Sequence, residues 1–226
     1  MNDLNVIERE RNQMLYGKQS LQDDIDHPVI RSPYTPFELP FYQTRETLID
    51  IDSYSRFLKN AINRFRSSKF YKEYKSFLIS LGLDRSQVHG NISNEMAEIE
   101  MHHNMLTVFD IAFIICEHVL YTRGYISTFD LVYLLKQEHR NNNIMLVMLD
   151  VTSHQVQQSS KEFFIHPSMC FGDWLEFLNK YKYGITRDIA FKIIDYLEKA
   201  DKYKDTYDVG FFRLRNQIYD WSMSLD

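Results

Sequence analysis

What this chain has little of narrows its class before any motif is weighed. It has only two cysteines, Cys116 and Cys170, both in apolar surroundings and not in a Cys-x-x-Cys pairing, which argues against a disulfide framework or a thiolate zinc site. Any metal would have to be held by His, Asp, Glu, Asn or Gln. No run of eighteen apolar residues occurs, so no membrane-spanning helix is expected. The stretch Met1 to Glu10 has neither the basic region nor the apolar core of a secretory leader, and the expectation is a cytoplasmic protein. No internal repeat or low-complexity tract is evident. Positive charge is also short: the net charge of -5 and pI near 5.9 argue against a surface that is basic all over, as a nonspecific nucleic-acid coat would be.

What is present suffices for a core. With 226 residues, 44% of them apolar, the chain reads as one domain (residues 46–226) preceded by an extended arm (residues 1–45). The arm carries Asp23, Asp24 and Asp26 and then Pro28, Pro33, Pro36 and Pro40, which hold a backbone to extended or turn geometry. Helical spacing predicts helices over 52–66 and 69–81, with Gly82 as a stop, and over 107–121, with Gly124 as a stop. Ser127 caps a further helix to about Glu138, with Asp130 as acidic partner in its first turn. Later helices are expected over 155–160, 172–182, 186–200 and 209–223. Strands are expected over 96–103, where Met96, Glu98 and Glu100 alternate with Ala97, Ile99 and Met101, and over 144–149. The architecture expected is mainly α (α+β), a helical domain around a small two-stranded element.

The segment richest in chemistry is Glu98-Ile99-Glu100-Met101-His102-His103, followed after the second strand by Val151-Thr152-Ser153-His154. Paired imidazoles at a strand end, with a third from a later helix, are the parts of a metal site with a general base, and so suit phosphodiester hydrolysis. Adjacent strand residues face opposite ways, so His102 and His103 can share a site only if the strand ends or bulges there, and Asn104 just beyond supports such a break. A plainer reading stays open: either ring can be a partly buried hydrogen-bonding group, and Glu98 and Glu100 equally suit the solvent side of a strand. His118 and His139 read as structural or exposed, and His166 before Pro167 as a turn residue. From Arg56 to Lys75 seven cations face one acid, Glu73, with aromatics interleaved. That mixture can track a phosphate backbone, although the helical spacing of Tyr54, Phe57, Leu58, Ile62 and Phe65 makes a core stripe with a solvated cationic face the simpler account.

The order of strand, His102-His103, helices, strand, Thr152-x-His154 and helix resembles the ββα-metal, or HNH, endonuclease core of phage-encoded proteins. Arg64-Phe65-Arg66, Tyr71-x-x-Tyr74-Lys75-x-Phe77-Leu78-x-x-Leu81-Gly82 and Leu106-Thr107-Val108-Phe109-Asp110-Ile111 also resemble uncharacterised phage proteins with such motifs. The similarity covers roughly residues 60–185. It implies a ββα-metal-like core over about 95–160 and a divalent ion (Mg, Mn, Ni or Zn) bound by His102 and His154. His103 is implied to be the base that deprotonates the attacking water. Gln158 stands where the pattern repeats a ligand, and Asn143 stands two residues before the expected base-orienting asparagine, a position held here by Met145. DNA is the implied partner, with Arg64, Arg66, Lys69, Lys72 and Lys75 as candidate contacts, and the host cytoplasm the implied location. A second class stays open: a noncatalytic virion or assembly protein with a degenerate HNH-like fold, contacting other phage proteins through the arm and a tyrosine-rich surface. Fifteen tyrosines and sixteen phenylalanines suit a large contact area.

Overall fold

A computed structural model describes residues 42–159 and 163–202. The arm up to residue 41 and the helix expected over 209–223 lie outside the described residues. The described part is mainly helical with two small sheets. In chain order the elements are β1 (Tyr42–Thr44), α1 (Ile51–Arg66), α2 (Lys69–Ser80), β2 (Ile99–His103), α3 (Val108–Arg123), β3 (Tyr125–Ser127), α4 (Thr128–Arg140), β4 (Leu146–Asp150), α5 (Val151–Ser159), α6 (Trp174–Lys180) and α7 (Arg187–Asp201). Single 3-10 turns lie at Pro167–Met169 and Lys182–Gly184.

Helix α3 is the centre. Its buried residues, among them Val108, Ile111, Ala112, Ile114, Ile115, Cys116, Val119 and Leu120, cover more than one face, so it must be wrapped rather than laid on a surface. Helices α1 and α4 and the 182–184 turn pack around it. Its start is fixed by a capping box in which Thr107 and Asp110 exchange bonds, and its end by Gly124 at φ 87°, a left-handed conformation that favours glycine. Ser127 and Asp130 form a second capping box at the start of α4, as the sequence suggests.

Strands β2 and β4 pair antiparallel, with Met101 opposite Met148 and His103 opposite Leu146. Every residue of β4 is buried, because both its faces and its outer edge are covered. Leu146 and Met148 enter the main core, while Val147 and Leu149 join a smaller cluster with Ile165. At the outer edge Leu146 bridges Phe171, and Met148 exchanges hydrogen bonds with Gln87, whose backbone N–H and side-chain oxygen serve as donor and acceptor. Helix α5 begins directly after β4. Asp150 caps it, accepting from the Ser153 backbone N–H and hydroxyl and from the Ser86 hydroxyl. Burial pushes the Asp150 carboxyl up, but those donors outweigh it and bring it down to about 2.

Three elements differ from expectation, the first being the short helix expected over 155–160, which begins at Val151. Strand β2 starts at Ile99, since Met96 and Ala97 belong to a turn in which both N–H groups reach Ser93. The second strand runs 146–150 rather than 144–149. The sheet of β1 with β3 has no counterpart in the sequence reading: Tyr42 to Thr44, assigned to the arm, pair with Ser127 to Tyr125 and anchor that end of the arm to the domain.

Gly184 shows how tightly the centre is packed. A Cβ there would lie 1.8 Å from the Ile114 carbonyl oxygen in α3, a backbone atom with no room to yield. Gly184→Ala is therefore expected to lower stability by about 2 kcal/mol or more, as overpacking does. Urea unfolding of the two proteins measures it, and an unchanged midpoint would show that the 182–184 turn is not held against α3.

Candidate functional site

Strict alternation along β2 decides where the histidines go. Ile99, Met101 and His103 are buried, whereas Glu100 and His102 point to the other face and are half-buried. No bulge intervenes. The strand continues through His103, and the chain turns only afterwards, with Met105 at φ 60° and Asn104 buried beneath it. The Asn104 side-chain amide donates to the Ile165 carbonyl and to the Tyr196 hydroxyl.

On the core side, His103 Nε2 lies 2.8 Å from His139 Nε2. His139 Nδ1 lies 2.7 Å from the Leu135 carbonyl, which can only accept, so this nitrogen carries the proton. It follows that His139 Nε2 accepts and His103 Nε2 donates. Phe65 and Tyr74 pack their rings on His139, at centroid distances of 4.7 and 5.9 Å. Burial is the largest influence on both imidazoles, lowering His103 well below the usual histidine range and His139 to about 4. They form a neutral pair inside the protein.

On the other face, His102 meets His154 in the first turn of α5, ring centroids 4.8 Å apart. His154 Nδ1 donates to the Glu100 carboxylate. Burial first, and the neighbouring His154 second, lower His102 to about 4, and its Nε2 is buried with no hydrogen-bond partner among the described residues. These three residues line a cleft of about 690 Å³ together with Arg66, Lys75 and Lys192. Tyr71 also lines it, its phenol raised by burial, and Met101, Met105 and Val108 contribute apolar wall.

The structure thus brings together His102 and His154, with His103 also bordering the cleft, and places Asn143 and His166 elsewhere. The Nε2 of His103 is committed to His139 in the core. Asn143 donates to Glu138 at 2.8 Å, in a buried knot where Glu138 also accepts from Lys180 and Tyr181. The side chain of Gln158 lies outside the described residues. His166 accepts from the Ser168 N–H and caps the 167–169 turn. Among the described residues no group of three or more His, Cys, Asp and Glu side chains is arranged to hold a metal ion. Of the five expected DNA-contacting cations, Arg66 and Lys75 reach the cleft, Lys75 already paired with Glu98 at 3.1 Å. Lys69 pairs with Glu73, and Arg64 and Lys72 are exposed and do not line the cleft. Sequence reasoning missed Lys192, ninety residues beyond His102, and the role of His139. The alternation of β2, already visible in its polar and apolar residues, was the signal that would have split the His-His pair.

The model of one protein family, the bacteriophage G278-like virion proteins, matches residues 23–218. No curated protein and no solved structure matches the chain. The family match overturns the resemblance to HNH endonucleases, and with it the expectations of a nuclease, a hydrolase and a DNA-binding protein; the phage origin expected with them fits the match.

The buried pair makes stability depend on pH. His103 and His139 are held neutral in the folded protein, whereas in the unfolded chain each titrates near 6.5. Between pH 6.5 and about 4 the unfolded state therefore binds more protons, so stability rises with pH and is lost as pH falls through that window. Each such group contributes up to about 1.4 kcal/mol per pH unit at the acid end. Urea unfolding at pH 7, 6 and 5 is expected to show this loss, with a shallower slope in His103→Leu/His139→Leu. Equal slopes in the two proteins would mean that the pair takes up its protons while folded.

Proposed function

Because the chain belongs to the bacteriophage G278-like virion proteins, we propose that it is a noncatalytic component of the phage particle that works by contacting other phage proteins. The observation that carries this reading is the extent of the family match, residues 23–218, which takes in both the helical domain and part of the preceding arm. The surface supports it. Ile49 and Ile51, on either side of the cap residue Asp50 of α1, are 87% and 79% exposed, and Leu81 and Met96 are 63% and 70% exposed. A particle component can bury such side chains against a neighbour. Tyr121 and Tyr183 add a stacked aromatic pair on the outside of α3, rings 4.8 Å apart. None of the described helices is long and apolar enough to cross a membrane. Assembly in the host cytoplasm, with the arm contributing to contacts, completes the proposal.

The test is the composition of purified particles. Mass spectrometry of the phage that encodes the chain is expected to find it at a fixed copy number relative to the other particle proteins. Ile49→Glu/Leu81→Glu is expected to lower incorporation at least about tenfold, the loss of a well-buried apolar contact or two, with the unfolding midpoint of the free protein unchanged. Abundant chain in infected cells but none in particles would rule the proposal out.

A further inference from the structure

The cleft beside β2 is not explained by packing. It is walled by β2, the C-terminal end of α1, the face of α2 that carries Tyr71 and Lys75, the N-terminal ends of α3 and α5, and Lys192 of α7. Cations of three separate helices converge on it. Arg66 carries no ion pair among the described residues, while Lys75 and Lys192 each hold one carboxylate, Glu98 and Asp110, at the rim. Among the described residues the single acid that lines it, Glu100, is already bonded to His154. His102 adds a buried Nε2 with no hydrogen-bond partner among the described residues. The remaining wall is apolar, from Met101, Met105 and Val108.

We propose that this cleft docks an acidic, partly apolar peptide segment of a neighbouring virion chain. Arg66 receives a carboxylate in its planar fork, and Lys75 and Lys192 hold further acidic groups at the rim. An apolar side chain of the segment covers the methionines and Val108. A bare oxyanion would use the cations and leave the apolar wall wet, and a metal ion lacks a set of three ligands among the described residues. The cost of entry is small, because rim pairs such as Lys75 with Glu98 are half-exposed and screened by water. This inference rests on the reading of the chain as a particle component and supplies the chemistry of one partner.

The experiment is a fluorescence-polarisation screen of the full chain against decapeptides tiled over the particle proteins of its phage, including the chain's own Gln22-Asp23-Asp24-Ile25-Asp26 segment. At least one Asp- or Glu-rich tile is expected to bind, and its Asn- or Gln-substituted version is expected not to. Arg66→Glu/Lys192→Glu is expected to weaken binding at least about tenfold while keeping the unfolding midpoint of the parent. His102→Gln, which restores a donor and an acceptor without the ring, is expected to weaken it less. The proposal is overturned if no acidic tile binds, if binding is equal in the charge-reversed protein, or if inorganic phosphate or a single-stranded oligonucleotide displaces the tile at equal concentration. Failure here with the chain present in particles removes the cleft as a docking site and leaves the virion reading intact. Absence from particles removes that reading whatever the peptides do.

Discussion

The antiparallel pairing of β2 with β4 is the constraint on which the rest of the structure depends. β4 is buried throughout and its partner only on alternate residues, so the two-stranded ladder has one face wholly inside the main core and one face divided. On the divided face Val147 and Leu149 are roofed by Ile165 and its neighbours, while Glu100 and His102 are left beside open space. The cleft is thus the unroofed half of a sheet face. Helix α5 must start at once after β4, because the Asp150 carboxylate needs the Ser153 donors to be tolerated where it lies, and this places His154 above Glu100.

Buried polar groups around this ladder tie helices to it and to one another. Successive residues of α4 diverge: Glu138 ties its end to Lys180 and Tyr181, and His139 ties it to β2. Asn104 joins the turn after β2 to Tyr196 of α7. Each acceptor in these knots has at least one donor, which is the condition for burying them at a tolerable cost. Truncating one member would leave the others desolvated and unpaired, a larger penalty than the bond itself contributes.

Much of the fold was legible because helices announce themselves locally. The stripe of α1, the caps at Ser127 and Gly124 and the apolar-rich α3 are each set by residues within a few positions of one another, and the structure agrees with them within a residue or two. The three-residue sheet of β1 and β3 was not legible, since strands that short have no period and exist only through a partner some eighty residues away. The site was half legible. Residues Ile99 to His103 do form a strand that meets His154, but the rest of the cleft comes largely from α1, α2 and α7, and spacing carries no information about such distant arrivals. The resemblance to HNH enzymes grouped two histidines by adjacency, although a strand's period of two sends adjacent side chains to opposite faces.

That period also explains why adjacent histidines are compatible with a well-defined strand. A slip of one residue in the pairing of β2 would send Glu100 and His102 into the apolar core and turn Ile99 out of it. Hydrophobicity alone opposes that slip. The histidines oppose it further, because His103 finds an acceptor in His139, and Glu100 finds a donor in His154, each on its own side of the strand. Register is therefore pinned from both faces at once. The core-side pair can do this without charge, and the cleft-side pair can do it while leaving His102 beside it free to present a ring edge to the cleft. A strand fixed in this way can keep one face as packing and give the other to a partner, and a change of side chain on the partner's face need not disturb the core behind it.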